Sequence, residues 1–267
     1  MKKILALALC LVLALSFAGC GCDSTDATDA TEATGAVEEE EVKTVGGDNV
    51  LKMGTNAAFP PYEYKEGDVI VGIDAEIAAA IAEELGMELE IVDMEFDSII
   101  TAVVQDAVDF GMAGMTVTDE RKENVDFTYS YATGVQVVIV PEGSSIATLD
   151  DLAGKKIGTQ IGTTGFMYAQ GDYGEENVIG YSKGADAVLA LKGGDVDAVI
   201  IDNEPAKAFV AANTGLVILD TEYAVEDYAI AVAKDNTALL NAINDALVVL
   251  KDEGVIDAII AKYISAE

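Results

Sequence analysis

The body of the chain, from Val50 onward, predicts an α/β fold. Short apolar runs alternate with stretches in which apolar residues recur at helical spacing. The order strand–helix–strand–helix–strand occurs twice, with extended segments between the two halves. The chain has 267 residues, of which 51 % are hydrophobic, so it can form one large domain or two of ordinary size.

The first half of the body predicts three strands separated by two helices. The strands are expected at 50–55, 88–94 and 108–114, and the helices at 73–86 and 96–106. Apolar residues at 77, 81 and 85 share one face of the first helix, and Gly86 marks its end. Asp97 or Ser98 is a suitable N-cap for the second helix.

The second half predicts a longer alternation of the same kind. Strands are expected at 135–140, 155–160, 176–181, 196–202, 215–220 and 228–233, and helices at 147–154, from 165, at 184–194, 203–213, 236–254 and 255–264. Ligands of open α/β sheets bind at the carboxyl ends of the strands. The loops at 54–62, 113–121, 160–165 and 201–204 are therefore the candidate site.

Composition excludes several classes of function. The net charge of −33 argues against nucleic acid, and against adhesion to anionic lipid through surface charge. The chain has no histidine, so Ser-His-Asp and Cys-His catalysis are absent. The three cysteines all lie within the first 22 residues, which leaves the body without a disulfide or a thiolate metal site. We expect neither an enzyme nor a metal or other cofactor.

The N-terminus predicts a secretory signal peptide over residues 1–19. Lys2 and Lys3 precede an apolar run from Ile4 to Leu15, and small residues follow. The alternative is a membrane-spanning anchor, but the run is shorter than the roughly 20 residues that a spanning helix needs. Within residues 20–48, Thr, Ala and acidic residues dominate from 23 onward, which predicts a disordered tether.

Several stretches of the body resemble the polar amino acid-binding proteins of solute-binding family 3. They are GTNAAFPPYEY (54–64), VGIDAEIAAAIAEELG (71–86), AGMTVTDERKENVDFT (113–128), DLAGKKIGTQIGTTG (151–165) and DAVIIDNEPA (197–206). The resemblance implies the two-lobed, Venus-flytrap fold of type 2 periplasmic binding proteins. Lobe 1 would comprise 50–132 plus 228–267, and lobe 2 would be 133–227, joined by two hinge crossovers near 131–135 and 226–228.

The end of the signal segment, Phe17-Ala18-Gly19-Cys20, resembles the lipobox of bacterial lipoproteins. Phe17 departs from this motif, which usually has Leu at that position. The resemblance implies that Cys20 carries the lipid, with fatty acids such as palmitate. The protein would then sit on the outer face of the cytoplasmic membrane, extracellular or periplasmic, and touch the membrane only through this anchor.

An α-amino acid is a zwitterion, and its carboxylate is best met by a bidentate guanidinium and by backbone N–H groups. Arg121 is the only arginine of the chain. The resemblance makes Gly114, Thr116 and Arg121 the carboxylate-binding positions, where Gly114 permits close approach and Thr116 offers its N–H and hydroxyl. The alternative for Arg121 is a surface ion pair with an acidic neighbour in the sequence.

The ligand ammonium requires an anion, and Asp202 follows an apolar strand at its carboxyl end. The resemblance makes it the ammonium-binding acid. Asp202 is alternatively the N-cap of the helix that begins at Asn203, and both roles can coexist. On the same lobe, Thr163 and Thr164 open a helix whose free N–H groups can receive a carboxylate.

Aromatic side chains are expected to wall the pocket. Phe59 and Phe96 match the aromatic clamp of the family, although isolated phenylalanines usually belong to a core. Tyr62 either rims the pocket or packs inside. Asn56 and Gln160 are neutral amides, which favours an uncharged polar amino acid. A basic amino acid remains the alternative, because Glu63 or an aromatic ring could receive a cation.

The resemblance implies a monomeric binding protein that closes its lobes around an amino acid and delivers it to the permease of an ABC importer. Two other classes remain open. One is an enzyme on the same fold, which would need an acid–base pair in the cleft. The other is a sensor that uses the binding fold for signalling.

Overall fold

The computed structural model describes Val42, Thr44 and residues 49–264. The predicted signal peptide, Cys20 and nearly all of the tether lie outside these residues. Val42 belongs to the predicted tether, yet it packs against the core of lobe 1. Within the described residues, no helix has the length and apolarity that a membrane crossing requires.

Strands and helices alternate through most of the described chain. The strands are β1 (Val50–Thr55), β2 (Ala58–Phe59), β3 (Glu63–Glu66), β4 (Val69–Val71), β5 (Glu88–Asp93), β6 (Phe110–Gly111), β7 (Val125–Phe127), β8 (Ala132–Pro141), β9 (Ile157–Gln160), β10 (Val178–Tyr181), β11 (Ala198–Asp202), β12 (Leu216–Ile218), β13 (Ala224–Tyr228) and β14 (Ala231–Ala233). The α-helices are α1 (Ile73–Glu84), α2 (Ile99–Val104), α3 (Asp119–Lys122), α4 (Thr164–Tyr173), α5 (Gly184–Gly193), α6 (Asn203–Ala212), α7 (Thr237–Asp252) and α8 (Val255–Tyr263). Short 3₁₀ helices occupy Phe96–Ser98, Leu149–Leu152 and Glu175–Asn177.

Lobe 1 is built on a sheet of strand order β5-β1-β6-β14-β7. The strands β5, β1 and β6 are parallel, whereas β14 runs antiparallel to both of its neighbours. Helices α1, α7 and α8 cover one face and α2 covers the other. Because β14 comes from near the end of the chain, the chain leaves this sheet after β7 and returns to it.

Lobe 2 is built on a second sheet, of strand order β10-β9-β11-β8-β12, with β13 also paired to β8. The apolar run in β8 is buried on both sides. Val137 and Ile139 face α5 and α6, while Val138 and Val140 face α4. This alternation follows from the two-residue period of a strand, and burial of both faces explains the unbroken apolar sequence.

The paired strands β8 and β13 carry the chain between the lobes. They run antiparallel, with Tyr228 opposite Ala132 and Glu226 opposite Gly134. The ring of Tyr228 is buried in the core of lobe 1, although its strand pairs with the sheet of lobe 2. The hinge crossovers expected near 131–135 and 226–228 fall on this pair of strands, and their role as hinges stays a prediction.

The predicted elements agree with the structure in their order, and they differ most where polar residues form strands. The strand predicted at 108–114 is only Phe110–Gly111, and the one predicted at 228–233 is interrupted between β13 and β14. The small sheet of β2, β3 and β4 was not predicted. It contains charged residues, and two prolines lie between β2 and β3; both features disfavour strands.

Gly72 attaches the loop of the candidate site to the start of α1. Its φ is 124°, and a Cβ atom here would lie 2.3 Å from the carbonyl oxygen of Tyr62. The amides of Ile73 and Asp74 donate to the carbonyl oxygens of Pro61 and Tyr62, at 3.0 and 2.9 Å. The loop that carries Phe59 is thereby held against lobe 1.

We expect Gly72→Ala to lower the free energy of unfolding by about 3 kcal/mol or more, because it adds a clash to a strained backbone. Gly67→Ala is the matched control, since Gly67 has a φ of 64° and nothing lies within 4 Å of its added Cβ. This control should cost only about 1–2 kcal/mol. Urea unfolding followed by circular dichroism measures both, and equal losses would contradict the account.

Candidate functional site

A cleft between the lobes holds the candidate site. The space between its lining atoms is about 460 Å³, a figure that includes volume open to solvent. All ten residues predicted for the site line this cleft, together with six others. The lining comprises Asn56, Phe59, Glu63, Phe96, Ala113, Gly114, Thr116, Arg121, Gln136, Gln160, Thr163, Thr164, Ile200, Ile201, Asp202 and Tyr228.

The carboxyl ends of parallel strands explain why these residues meet. Asn56 follows β1, the loop of Ala113 to Thr116 follows β6, Gln160 ends β9, and Asp202 ends β11. Strands β1 and β6 are neighbours in lobe 1, and β9 and β11 are neighbours in lobe 2. The loops therefore project from the same edge of each sheet, as expected for open α/β sheets.

Arg121 is buried, with 6 % of its surface exposed. Its Nη1 donates to the carbonyl oxygen of Thr116 at 2.6 Å, and its Nη2 donates to the carbonyl oxygen of Gly162 at 3.0 Å. The guanidinium lies 5.4 Å from the ring centre of Phe96. No carboxylate of the described residues forms an ion pair with it, so the alternative of a surface ion pair is wrong.

Burial lowers the pKa of Arg121, and the negative charge of Glu226 opposes that shift. The guanidinium keeps its charge at neutral pH, because arginine is not deprotonated in proteins. A buried cation without an ion-pair partner is costly. An anion that entered the cleft would therefore be strongly favoured beside Arg121.

Gly114 contributes differently from its predicted role. Its N–H donates to Asp74 Oδ2 at 2.8 Å, so this amide is already used inside lobe 1. The need for glycine comes from its φ of 53° and from Phe59, whose ring would lie 3.1 Å from an added Cβ. Gly114 therefore makes room for the aromatic wall of the cleft.

The hydroxyl groups of Thr116 and Thr164 meet across the cleft on a carboxylate that the sequence did not predict. Both donate to Glu226 Oε2, at 3.2 and 2.9 Å, and Gln136 Nε2 donates to the same atom at 3.1 Å. The hydroxyl proton predicted for the ligand at Thr116 is thus directed to Glu226. The flanking backbone bonds, from Val117 and Ala229, do not use the N–H of Thr116.

Thr163 is the N-cap of α4. Its hydroxyl accepts from the N–H of Phe166 at 3.2 Å and donates to the carbonyl oxygen of Gln160 at 2.7 Å. The cap fixes the first turn of α4 at the cleft. The N–H of Thr164 belongs to this turn, where amides lack a partner within the helix.

Asp202 is buried, with 1 % of its surface exposed. The hydroxyl of Tyr228 donates to its Oδ2, whereas its Oδ1 has no hydrogen-bond partner among the described residues. Burial raises the pKa of Asp202 to about 7, although the Tyr228 hydroxyl opposes this. Asp202 occupies the N-cap position of α6, but its side chain makes no capping hydrogen bond. The arrangement leaves one carboxylate oxygen for a cationic group.

Glu63 and Asp74 form a second buried pair of acids at the cleft. Asp74 accepts hydrogen bonds from Gly114 N–H and from the hydroxyl of Tyr131, the latter at 2.9 Å. Burial raises the pKa of Asp74 to about 6 and raises that of Glu63 well above its usual range. Glu63 lines the cleft, and neither of its carboxylate oxygens has a hydrogen-bond partner among the described residues.

The amides of Asn56 and Gln160 satisfy each other across the cleft. Gln160 Nε2 donates to Asn56 Oδ1 at 2.9 Å and to the carbonyl oxygen of Ser182 at 3.0 Å. Asn56 Nδ2 donates to the carbonyl oxygen of Met94 at 2.7 Å. The two amides hydrogen-bond to each other across the lobes. Their lack of charge is therefore weaker evidence for an uncharged ligand than the sequence suggested.

Phe59 and Phe96 line the cleft, as predicted, and Tyr62 does not. Tyr62 is stacked on Phe59, with ring centres 5.8 Å apart, and is buried in the core of lobe 1. Sequence reasoning missed Tyr228, Gln136 and Glu226. Gln136 carries a usable signal, because it is a polar residue within an apolar strand.

The chain belongs to the family of bacterial extracellular solute-binding proteins, family 3, which matches residues 51–266. It is 37 % identical over 231 residues to the arginine-binding extracellular protein ArtP of Bacillus subtilis (strain 168), covering 83 % of this chain and 88 % of ArtP. A mutant of ArgBP from T. maritima is 41 % identical with a TM-score of 0.78, covering 83 % of this chain and 98 % of the other. The arginine-, lysine-, histidine-binding protein ArtJ from Geobacillus stearothermophilus is 32 % identical with a TM-score of 0.78, covering 81 % and 96 %.

These similarities confirm the resemblance and the two-lobed fold expected from the sequence. The family and the three relatives are binding proteins rather than enzymes by description.

The buried acids predict how stability depends on pH. Asp202 and Asp74 have raised pKa values in the folded state, about 7 and about 6, so the folded protein binds more protons than the unfolded chain between about pH 4 and pH 7. The free energy of unfolding should therefore fall as the pH rises through this window. Urea unfolding at pH 5 and pH 8 measures the difference.

Asp202→Asn should remove part of this decline and stabilise the protein at pH 8 by on the order of 2 kcal/mol. Asp68→Asn is the control, because Asp68 is exposed in the turn between β3 and β4 and its replacement changes the net charge equally. If both variants follow the pH profile of the unaltered protein, buried Asp202 does not govern it.

Proposed function

We propose that this member of the family-3 extracellular solute-binding proteins binds a basic α-amino acid, arginine foremost, and supplies it to an ABC importer. The observation that carries the proposal is the charge arrangement of the cleft. Within the described part of the chain, a buried guanidinium without an ion-pair partner shares the cleft with a buried carboxylate that has one unbonded oxygen. A third group, Glu63, adds acidity to the same wall.

The charged groups of the cleft suit the two ends of an α-amino acid. The ligand carboxylate would bind Arg121 and the amides of Thr116 and Thr164, and the ammonium would bind Asp202 Oδ1. Each charge of the ligand thereby offsets the desolvation of a charge of the protein. A ligand with two carboxylates and no ammonium would leave Asp202 unpaired, and it should bind poorly.

The acidity of the lining favours a cationic side chain over the uncharged one expected from the sequence. Arg121 and Asp202 would offset the two charges of the zwitterion, and Glu63 would remain as a buried acid that a neighbouring cation favours in its ionised form. No lysine is part of the described lining. Phe59 and Phe96 supply aromatic faces that attract a guanidinium or an ammonium. The relatives ArtP and ArtJ are named for binding arginine, and for arginine, lysine and histidine, which supports the same choice.

Ligand contacts from both lobes would favour the closed arrangement, and a permease would recognise the closed face.

We further propose that the protein acts as a monomer on the outer side of the cytoplasmic membrane, held by a lipid on Cys20. Globomycin treatment of cells that produce the protein tests the anchor. Accumulation of the uncleaved precursor would support it, and normal processing would contradict it.

Replacement of Arg121 tests the carboxylate site. Arg121→Ala should abolish amino acid binding, and Arg121→Lys should weaken it roughly 100-fold, because lysine keeps the charge but loses the bidentate fork. Lys122→Ala is the matched control, since this exposed neighbour should leave the dissociation constant unchanged. Isothermal titration calorimetry measures binding, and circular dichroism establishes that each variant is folded. An unchanged dissociation constant in Arg121→Ala would refute the site.

Replacement of Glu63 tests the side-chain class. Glu63→Gln should weaken arginine binding at least about tenfold and leave glutamine binding similar, because only the cationic ligand loses an ionic partner. Glu66→Gln, at an exposed position of the same strand, is the control.

Proton uptake or release adds an independent measurement. A cation beside the Glu63–Asp74 pair favours its ionised form, so arginine should release more protons than glutamine does at pH 7. Calorimetric titrations in two buffers of different ionisation enthalpy measure the difference. Tighter binding of glutamine than of arginine by the unaltered protein would contradict the basic ligand and favour an uncharged polar amino acid.

A further inference from the structure

We propose that Gly162, which does not line the cleft, is a positioning residue that fixes the Arg121 guanidinium when the lobes close. The inference rests on the proposed function, in which Arg121 holds the ligand carboxylate. It adds a residue of the opposite lobe on which this interaction depends.

Arg121 is held by one carbonyl oxygen from each lobe. Within lobe 1, the carbonyl of Thr116 accepts from Nη1 at 2.6 Å, and across the cleft the carbonyl of Gly162 accepts from Nη2 at 3.0 Å. The guanidinium is planar, so two fixed N–H directions define its orientation completely. Because the second bond crosses the cleft, the full orientation exists only when the lobes are together.

The fit at Gly162 leaves no space for a side chain. Its φ is 79°, and an added Cβ would lie 2.9 Å from the Cβ and 3.2 Å from the Cα of Asp97. Asp97 belongs to the 3₁₀ helix Phe96–Ser98 of lobe 1, and Phe96 lies against the guanidinium. Two features therefore require glycine at position 162: its positive φ, and the close approach of Asp97 from the opposing lobe.

The two requirements act on different states of the protein. Backbone strain is the same whether the lobes are open or closed, because it is internal to lobe 2. The contact with Asp97 arises only on closure. A methyl group at Gly162 should therefore disfavour the closed arrangement selectively, prevent the alignment of Arg121, and speed the release of a bound ligand.

Gly194 provides a control for the backbone strain. It ends α5 in the same lobe with a φ of 78°, and nothing lies within 4 Å of its added Cβ. Gly162→Ala and Gly194→Ala therefore place alanine at nearly the same positive φ, and they differ in the contact with Asp97. Any difference in ligand binding between them reports that contact.

The experiment compares arginine binding by the unaltered full protein, Gly162→Ala and Gly194→Ala. Gly162→Ala should bind arginine at least about tenfold more weakly than Gly194→Ala does, and most of the change should be in the dissociation rate. The two variants should unfold at similar urea concentrations. Calorimetry gives the dissociation constants, stopped-flow fluorescence of the tyrosines gives the rates, and small-angle X-ray scattering gives the compaction caused by arginine.

The outcomes separate the inference from the function on which it rests. Equal dissociation constants for the two variants, with arginine bound by the unaltered protein, would overturn the role of Gly162. Failure of the unaltered protein to bind arginine would overturn the proposed ligand, and the comparison would then be made with whichever amino acid does bind. A loss of binding in Gly162→Ala that is matched by a loss of folded protein would also overturn the inference, because it would indicate a structural role.

Discussion

The cost of burying the Arg121 guanidinium is the constraint on which the rest of the site depends. A cation removed from water needs acceptors, and this cleft gives it two carbonyl oxygens and an aromatic face instead of a carboxylate. Carbonyl dipoles stabilise the charge without neutralising it. The remaining positive potential is what makes the cleft receptive to an anionic group, and a resident ion pair would have removed it.

Burying a negative charge in the cleft is costly for the same reason. The chain carries a large excess of carboxylates, yet most of them face water, where their charges cost little. The buried carboxylates differ from one another in their hydrogen-bond partners. Among the described residues, Asp202 Oδ1 and both carboxylate oxygens of Glu63 lack a hydrogen-bond partner, whereas three donors meet at Glu226 Oε2. Glu226 joins the lobes through Oε2 alone, and the unpartnered oxygens of Asp202 and Glu63 remain available to a ligand.

The sequence predicts where the candidate site lies better than it predicts which partner each of its residues contacts. Strand order and the rule of carboxyl ends bring the loops together, and motif positions within these loops identify Arg121 and Asp202. Individual donors could not be assigned. Whether the amide of Gly114 serves a ligand or Asp74 depends on a contact between residues 40 positions apart. The small sheet of β2 to β4 was missed because its hydrogen bonds are not signalled by an apolar pattern.

The misleading clue was the neutrality of Asn56 and Gln160. Their chemistry favoured an uncharged ligand on the assumption that both amides face it, whereas the structure directs them toward each other and toward the backbone. An amide pair of this kind is insensitive to the charge of a ligand and depends only on closure. In the proposed function, selectivity rests on Glu63, whose pKa is raised by burial and by Asp74. A cation beside Glu63 would favour its ionised form, which would release a proton. On this reasoning, one pair of residues favours closure with any amino acid that fits, and a separate acid determines which side chain is preferred.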